Sequence, residues 1–402
     1  MKITRREGII IALSMAATGC GGGQTAGSTP PPVALTPPPA PPSQPSPPAA
    51  TAGKLKNAAA AKGMRIGSAF NAAGPASGSY LNSNYAKLLE AECNILVPEN
   101  ELKWQSIRPN AADFEFTPFD NMLAYAESKN MAMRGHTLLW HQPQWTPDWL
   151  SNYDYGVTPA TEAARLLTNH LETVIARYGT RIVSFDVVNE AINYDNNDVY
   201  SETSLSKAFG GTEVMMDFAF RKAQELLPNT QLVYNDFMGW EPDFEGHRAS
   251  VLRLLTELKR RGTPIDALGI QSHLTTERTV AGSPPPRQES EWRKFLDEIT
   301  AMGYGLLITE MDVNDQGFTG NIAARDQAVA DYAKSYLDVT LSYSQIKDIL
   351  FWGICDPYSW LQSFKPRTDG LENRCTLFDA SFKNKPVYDA IVAAVAAAPA
   401  RS

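Results

Sequence analysis

Two glutamates, Glu190 and Glu310, stand in or just after apolar runs, RIVSFDVVNE (181–190) and GLLITEMDV (305–313). A carboxylate there is out of place in a core, where a buried charge is costly unless it is paired or put to use. Two carboxylates facing one another suit glycoside hydrolysis, in which one protonates the leaving oxygen and the other attacks or activates water. They could also bind a metal if His136, His141 or His273 came close, as a metal-dependent hydrolase would need. Polar groups close the other apolar runs too. Glu99 and Asn100 end CNILVPEN (93–100), and His136 and Trp140 fall in MAMRGHTLLW (131–140). Asn235 and Asp236 fall in QLVYNDF (231–237), Gln271 and His273 in DALGIQSHL (266–274), Trp352 and Asp356 in DILFWGICD (348–356). One such residue is readily a satisfied core polar group; so many together imply a shared rim. Trp104, Trp140, Trp352 and Trp360 supply flat faces for the apolar faces of sugar rings, and Asn, Gln, Lys and Glu supply partners for hydroxyls.

The elements that must position these groups follow from periodicity. Together with MRIGSAF (64–70), the apolar runs number eight, each short enough to be a buried strand. Helical patterns lie between them. ATEAARLLTNHLETVIARY (160–178) places Ala164, Leu167, Leu171, Val174 and Ile175 on one face. FEGHRASVLRLLTELKRRG (244–262) gathers Val251, Leu254, Leu255 and Leu258 and ends in Arg and Gly, a C-terminal signal. Strand then helix, repeated over residues 54–399, predicts an α/β protein with a closed (β/α)8 TIM barrel. An open doubly wound sheet is the competing arrangement, but no Gly-rich phosphate loop follows a strand. In a barrel, the C-terminal strand ends form one rim, where active sites are built.

The chain has 402 residues, 43% of them hydrophobic, and a formal net charge of -8. That field repels phosphates, so no nucleic-acid partner is expected. Residues 1–20 read as an export signal, with a basic start, a short apolar middle and small residues before Cys20. Arg5-Arg6 suggests twin-arginine export and Gly19-Cys20 a lipidated cysteine, so a lipid on Cys20 is the expected membrane contact. Residues 21–53, rich in Gly, Pro and Ser, read as a disordered, semi-rigid linker. Cys355 and Cys375 bracket one loop and are expected to pair as a disulfide, which an exported protein can hold. The cysteine spacing fits no zinc signature, and neither a metal nor a cofactor is expected.

The motifs VPENELKW (97–104), GHTLLWH (135–141), FDVVNE (185–190), YND (234–236), IQSHL (270–274), ITEMD (308–312) and WGICDPYSW (352–360) occur in this order. The chain thereby resembles glycoside hydrolase family 10, the endo-β-1,4-xylanases. The resemblance implies that Glu190 is the acid/base and Glu310 the nucleophile of a retaining double displacement. It implies that Asn189 binds the 2-hydroxyl at the cleavage point and that His273 bridges Glu310 and Asp312. Gln271 would lie close to the nucleophile. Asp186 joins these as a supporting residue. Glu99, Asn100 and Lys103 would bind the non-reducing-side sugars with His136, Trp140, Trp352 and Trp360. Tyr234 and Asn235 would border the leaving-group side. The implied ligands are xylan and xylo-oligosaccharides, and the expected state is an exported monomer. A retaining hydrolase of the same fold acting on β-glucan or short xylo-oligosaccharides, and a non-catalytic carbohydrate-binding protein, are the alternatives. Both carboxylates being present argues against the last.

Three places depart from the family pattern. Phe185 stands where Trp is usual, the stretch 140–149 differs after the second His, and Cys355 replaces a small hydroxyl residue. The loop FKPRTDGLENRC (364–375) offers Arg367 as a sugar contact, with a solvated loop as the alternative. The stretch 384–398 reads as the last helix, and no separate carbohydrate-binding module is expected.

Overall fold

Eight parallel strands close into a barrel: β1 (Arg65–Phe70), β2 (Ile95–Pro98), β3 (Ala132–Gly135), β4 (Ser184–Asn189), β5 (Gln231–Asp236), β6 (Ala267–Ile270), β7 (Gly305–Asn314) and β8 (Ile346–Phe351). Neighbours in sequence pair in space, β1 pairs with β8, and β6 pairs with β7 in parallel from Ala267↔Gly305 to Ile270↔Ile308. The structure is a computed structural model that describes residues 54–280 and 283–401. The expected export signal, Cys20 and the linker lie outside the described residues.

The helices form where their apolar stripes predict. The helix Pro159–Tyr178 begins with Pro at its first turn and buries Leu167, Leu171, Val174 and Ile175, with Ala164 packed partly against the same core. The helix Glu245–Arg261 buries Val251, Leu254, Leu255 and Leu258. It stops at Gly262, whose φ of 70° is left-handed, after Lys259, Arg260 and Arg261 in the last turn. Phe185 belongs to the core between strands and helices, so this departure does not touch the rim.

Inside the barrel, alternate residues face inward. Ala69, Val97 and Leu350 form one small cluster with Ile95 and Trp352, and Val233, Ala267 and Leu307 another. This period of two carries the rim residues Asn235 and Trp352, each two past a lumen residue. Irregularities break it. The β4–β5 register shifts between Asp186 and Val188, and the β7–β8 register shifts between Leu306 and Ile308 and again between Ile308 and Met311. Bulges of this kind re-aim side chains. They let Asn189 as well as Asp186, and Glu310 as well as Thr309, present polar groups to the interior.

The predicted run 266–274 is not one strand. It breaks at Ser272, whose φ of 59° turns the chain, and resumes as the short strand His273–Thr275. That strand pairs with the far end of β7, placing His273 opposite Asp312.

Cys355 and Cys375 do not form the expected disulfide; both are free and buried, as is Cys93. The register explains it. Cys355 bridges to Phe378, while the carbonyl of Cys375 accepts a hydrogen bond from Val313 on β7. The loop is closed by polar contacts instead. Asp356 accepts from the Thr376 N–H at 2.9 Å and Lys385 Nζ at 3.0 Å, and Arg374 pairs with Asp326 at 2.8 Å.

Candidate active site

The rim gathers two carboxyl groups with opposite surroundings. Glu190 follows β4 with a φ of 55°, a left-handed conformation that costs a non-glycine residue about 1 kcal/mol or more. Two hydrogen bonds hold it there, from its N–H to Asn235 O at 2.8 Å and from Gln142 Nε2 to its carbonyl at 3.1 Å. The side chain is 6% exposed. Its Oε1 accepts Gln271 Nε2 at 2.8 Å, and its Oε2 accepts Trp140 Nε1 at 2.8 Å and the Tyr194 hydroxyl. Burial, then the negative charge of Asp236, push this carboxyl above the usual range, against the three donors.

Glu310, 5% exposed, is surrounded by donors and cations. Its Oε1 accepts Asn235 Nδ2 at 2.7 Å, and its Oε2 lies 3.4 Å from His273 Nε2. His136 Nδ1 stands 4.0 Å from Oε1 and 2.9 Å from Asp186 Oδ2, and Arg134 bonds the other Asp186 oxygen. Burial alone would raise this carboxyl. The His273 hydrogen bond and the charges of His136, His273 and Lys103 outweigh it, to about 2. His273 answers in kind. Burial disfavours its charge, but Asp312 and Glu310 lift it to about 10, so it is an imidazolium at neutral pH. Its Nδ1 lies 2.9 Å from Asp312 Oδ1, and Asp312 Oδ2 accepts Trp360 Nε1 at 2.7 Å.

Amides connect the two carboxyls. Asn189 Oδ1 accepts Asn235 Nδ2 at 2.8 Å and Gln271 Nε2 at 3.3 Å. With its oxygen engaged, the Asn189 amide nitrogen is the end left to donate. Asn235 Oδ1 accepts Thr309 Oγ1 at 2.7 Å, and a Cβ on Gly269 would lie 2.3 Å from that oxygen. Gly269 is therefore the residue that leaves room for the bridge.

Beside this centre, Lys103 Nζ lies 4.3 Å from the Trp140 ring centroid and 5.6 Å from that of Trp352, and it donates to Asn100 Oδ1 at 3.1 Å. Burial lowers its ammonium below the usual range, with Glu310, Glu99 and Glu190 opposing. Glu99 accepts Asn71 Nδ2 at 2.9 Å, and burial pushes its carboxyl up. Trp352 meets His136 edge to face at 5.3 Å, and Trp360 lies 5.0 Å from His273.

Some expected contacts are not at the surface of this site. Tyr234 faces the helices because it is out of phase with Val233 and Asn235; it is fully buried and bonds Asp236 and the Ala191 N–H. Asn235 is fully buried too and works from beneath Glu310 and Asn189. Asp236 and Asp356 are buried in bonds to His247 and to Thr376 and Lys385. Trp104 stacks on His170 with centroids 3.7 Å apart, inside the core. The loop 364–375 is exposed over much of its length, as the solvated alternative has it, but Arg367 itself is buried: it pairs with Asp369 at 2.6 Å and donates to Asp315 O and Phe318 O. His141 bonds Ser201 O and Thr212 Oγ1, away from the other histidines. Among the described residues no three His, Cys, Asp or Glu side chains converge as a metal-ligand set. Sequence reasoning missed Tyr194, Gln142, Trp145 and Asn71. No periodicity marks Gln142, Trp145 and Tyr194, which lie in the connections after β3 and β4; Asn71 directly follows β1, and the strand-end signal that marked the other rim residues could have found it.

Relatives share this arrangement's frame. The model of glycosyl hydrolase family 10 matches residues 54–394. A beta-1,4-xylanase of Dictyoglomus thermophilum is 31% identical over 323 residues, 78% of this chain and 86% of that protein. The crystal structure of native xylanase 10B from Thermotoga maritima superimposes with a TM-score of 0.73 at 30% identity, covering 85% of this chain and 97% of that one. Xylanase 10B from Thermotoga petrophila RKU-1, solved in complex with xylobiose, gives 0.72 at 29% identity, covering 85% and 96%.

Proposed function

The chain belongs to glycosyl hydrolase family 10, and we propose on that footing how it works: it is an endo-1,4-β-xylanase that hydrolyses internal β-1,4-xylosidic bonds of xylan with retention. Glu310 is the nucleophile and Glu190 the acid/base. The observation that supports these roles is the opposed environment of two buried carboxyls, one held ionised to about 2 by His273 and its neighbours, the other pushed up by burial and Asp236.

In the first step the Glu310 carboxylate attacks the anomeric carbon while Glu190 gives its proton to the glycosidic oxygen. The carbon–oxygen bond breaks with its electron pair going to that oxygen, and a glycosyl-enzyme ester remains. In the second step Glu190, now a carboxylate, takes a proton from water, and the water oxygen displaces Glu310. Asn189 donates to the 2-hydroxyl of the sugar at the cleavage point. Lys103, Asn100, Glu99 and His136 bind hydroxyls on the non-reducing side, and Trp352 and Trp360 offer their faces to the rings.

Glu310→Ala should abolish turnover of every substrate. Glu190→Ala should lose far more on xylan than on activated aryl xylobiosides, and azide should restore its second step and yield a β-glycosyl azide. An α-linked azide, or equal losses on good and poor leaving groups, would show the two roles reversed or wrong. A product profile on unbranched xylan, decorated xylan and mixed-linkage glucan tests the substrate; preference for the glucan would favour the β-glucan alternative.

We also propose that residues 1–20 direct export and that Cys20 carries lipid, with residues 21–53 as the tether. The support is the sequence pattern alone. Mass spectrometry of the exported protein tests it; a mature start within the Pro-rich stretch, without lipid mass, would refute it.

A further inference from the structure

The loop after β4 lays a phenol on the acid/base. Tyr194, four residues past Glu190, bonds Glu190 Oε2 through its hydroxyl. Trp140, whose Nε1 bonds the same carboxyl oxygen, stacks on the Trp145 ring with centroids 4.8 Å apart and planes at 15°. Phe237 packs edge to face on Tyr194 at 5.1 Å. The loop itself is tied down. Asp195 and Asn196 N–H groups donate to Asn193 Oδ1 at 2.9 Å, and Arg253 Nη2 donates to Asp198 O at 2.7 Å. Tyr194 is only half-buried, so a sugar entering the cleft can reach it.

The three groups on the Glu190 carboxyl differ in one respect. Trp140 Nε1 and Gln271 Nε2 are N–H groups, which donate and do not accept. The Tyr194 hydroxyl does both. A residue that is an acid in one step and a base in the next needs a neighbour that stays bonded in both states. We propose that Tyr194 is a positioning residue that determines which Glu190 oxygen carries the proton. It donates to Oε2 of the carboxylate and accepts from Oε2–H of the acid. When substrate enters, the Glu190 Oε2–H turns from the phenol to the glycosidic oxygen, and Glu190 gives up the proton. The inference rests on Glu190 being the acid/base.

Several charged or titratable groups face Glu190. They are Lys103 from the loop after β2, and Tyr234 and Asp236 from β5, with His247 3.0 Å from Asp236. Glu310 and His273 lie across the Asn189 and Gln271 amides. None of these changes in Tyr194→Phe, so a shifted titration there reports the phenol.

The test is the pH dependence of kcat/KM for Tyr194→Phe on a xylo-oligosaccharide and on an aryl xylobioside with a good leaving group. A hydrogen bond to a charged acceptor is stronger than one from a neutral acid, so losing it should raise the alkaline limb by roughly half to one pH unit. The loss should be roughly tenfold on the oligosaccharide and smaller on the aryl substrate. Tyr194→Gln, which can donate and accept, should bring the limb back toward wild type. A 13C NMR titration of Glu190 in the same variants reads the shift without turnover. An unmoved limb and an unmoved NMR titration, or equal losses on both substrates, would overturn the proposal. If Glu190→Ala were itself unselective for leaving group, the acid/base assignment would fail instead.

Discussion

Replacing His273 with Ala should turn an ionised nucleophile into one that titrates in the working range. In the wild type, Glu310 sits at about 2 against an ordinary 4.5, and the leading contribution opposing burial is the His273 hydrogen bond, followed by the charges of His136, His273 and Lys103. That difference of about 2.5 pH units corresponds to about 3 kcal/mol. Without His273, burial dominates, and the Glu310 carboxyl should rise above 4.5. The sign for activity follows: the nucleophile works ionised, so turnover falls as pH drops through its pKa. The wild type should hold its kcat/KM on an aryl xylobioside down to the lowest pH at which it stays folded, as far as Glu310 is concerned. His273→Ala should acquire an acid limb above about 4.5. Stability should move the same way. A depressed carboxylate stabilises the fold above its unfolded pKa, and that stability is lost as pH falls from about 4.5 toward 2. His273→Ala should therefore lose stability at pH 7 while its melting temperature becomes less sensitive to acid over that window. An acid limb within ~0.5 pH unit of wild type, with the variant folded, would refute the reasoning.

Gly269→Ala should push a Cβ against Asn235 Oδ1, tilt the amide that holds Glu310 and Asn189, and lower kcat roughly 100-fold with a smaller change in KM; unchanged steady-state kinetics would contradict it. Arg367→Ala should cost about 2–4 kcal/mol in urea unfolding, because it strips a partner from buried Asp315, while leaving KM for xylo-oligosaccharides unchanged. A raised KM with normal stability would instead make Arg367 a sugar contact. With Cys355 and Cys375 free, reductant should leave the melting temperature unmoved, and alkylation should occur only on unfolding; a Tm lowered by reductant would refute this.

The order of the eight apolar runs and the helices between them was legible because each strand and helix obeys a local period: two along a strand, 3.6 along a helix. The same local logic marked Glu190, Glu310, His273 and Trp352 at strand ends, since polar groups there have no structural reason to accumulate. What stayed illegible depended on breaks in the period or on contacts across the chain. The bulges in β4 and β7 turn Asn189 and Glu310 inward, and no residue type announces them. Tyr234 belongs to a motif yet faces the helices, because orientation follows strand phase and not motif membership. Cys355 and Cys375 are twenty residues apart in one loop, but pairing needs their Cβ atoms to converge, and the β-bridge to Phe378 takes Cys355 elsewhere. The burial that pushes Glu190 up and the cations that pull Glu310 down are likewise sums over groups from β2 to β7. Sequence by itself marked the two carboxyls and the strand ends that carry them; only the closed barrel decided which of the marked groups face the site and which carboxyl is held protonated, because orientation, solvation and field depend on every neighbour at once.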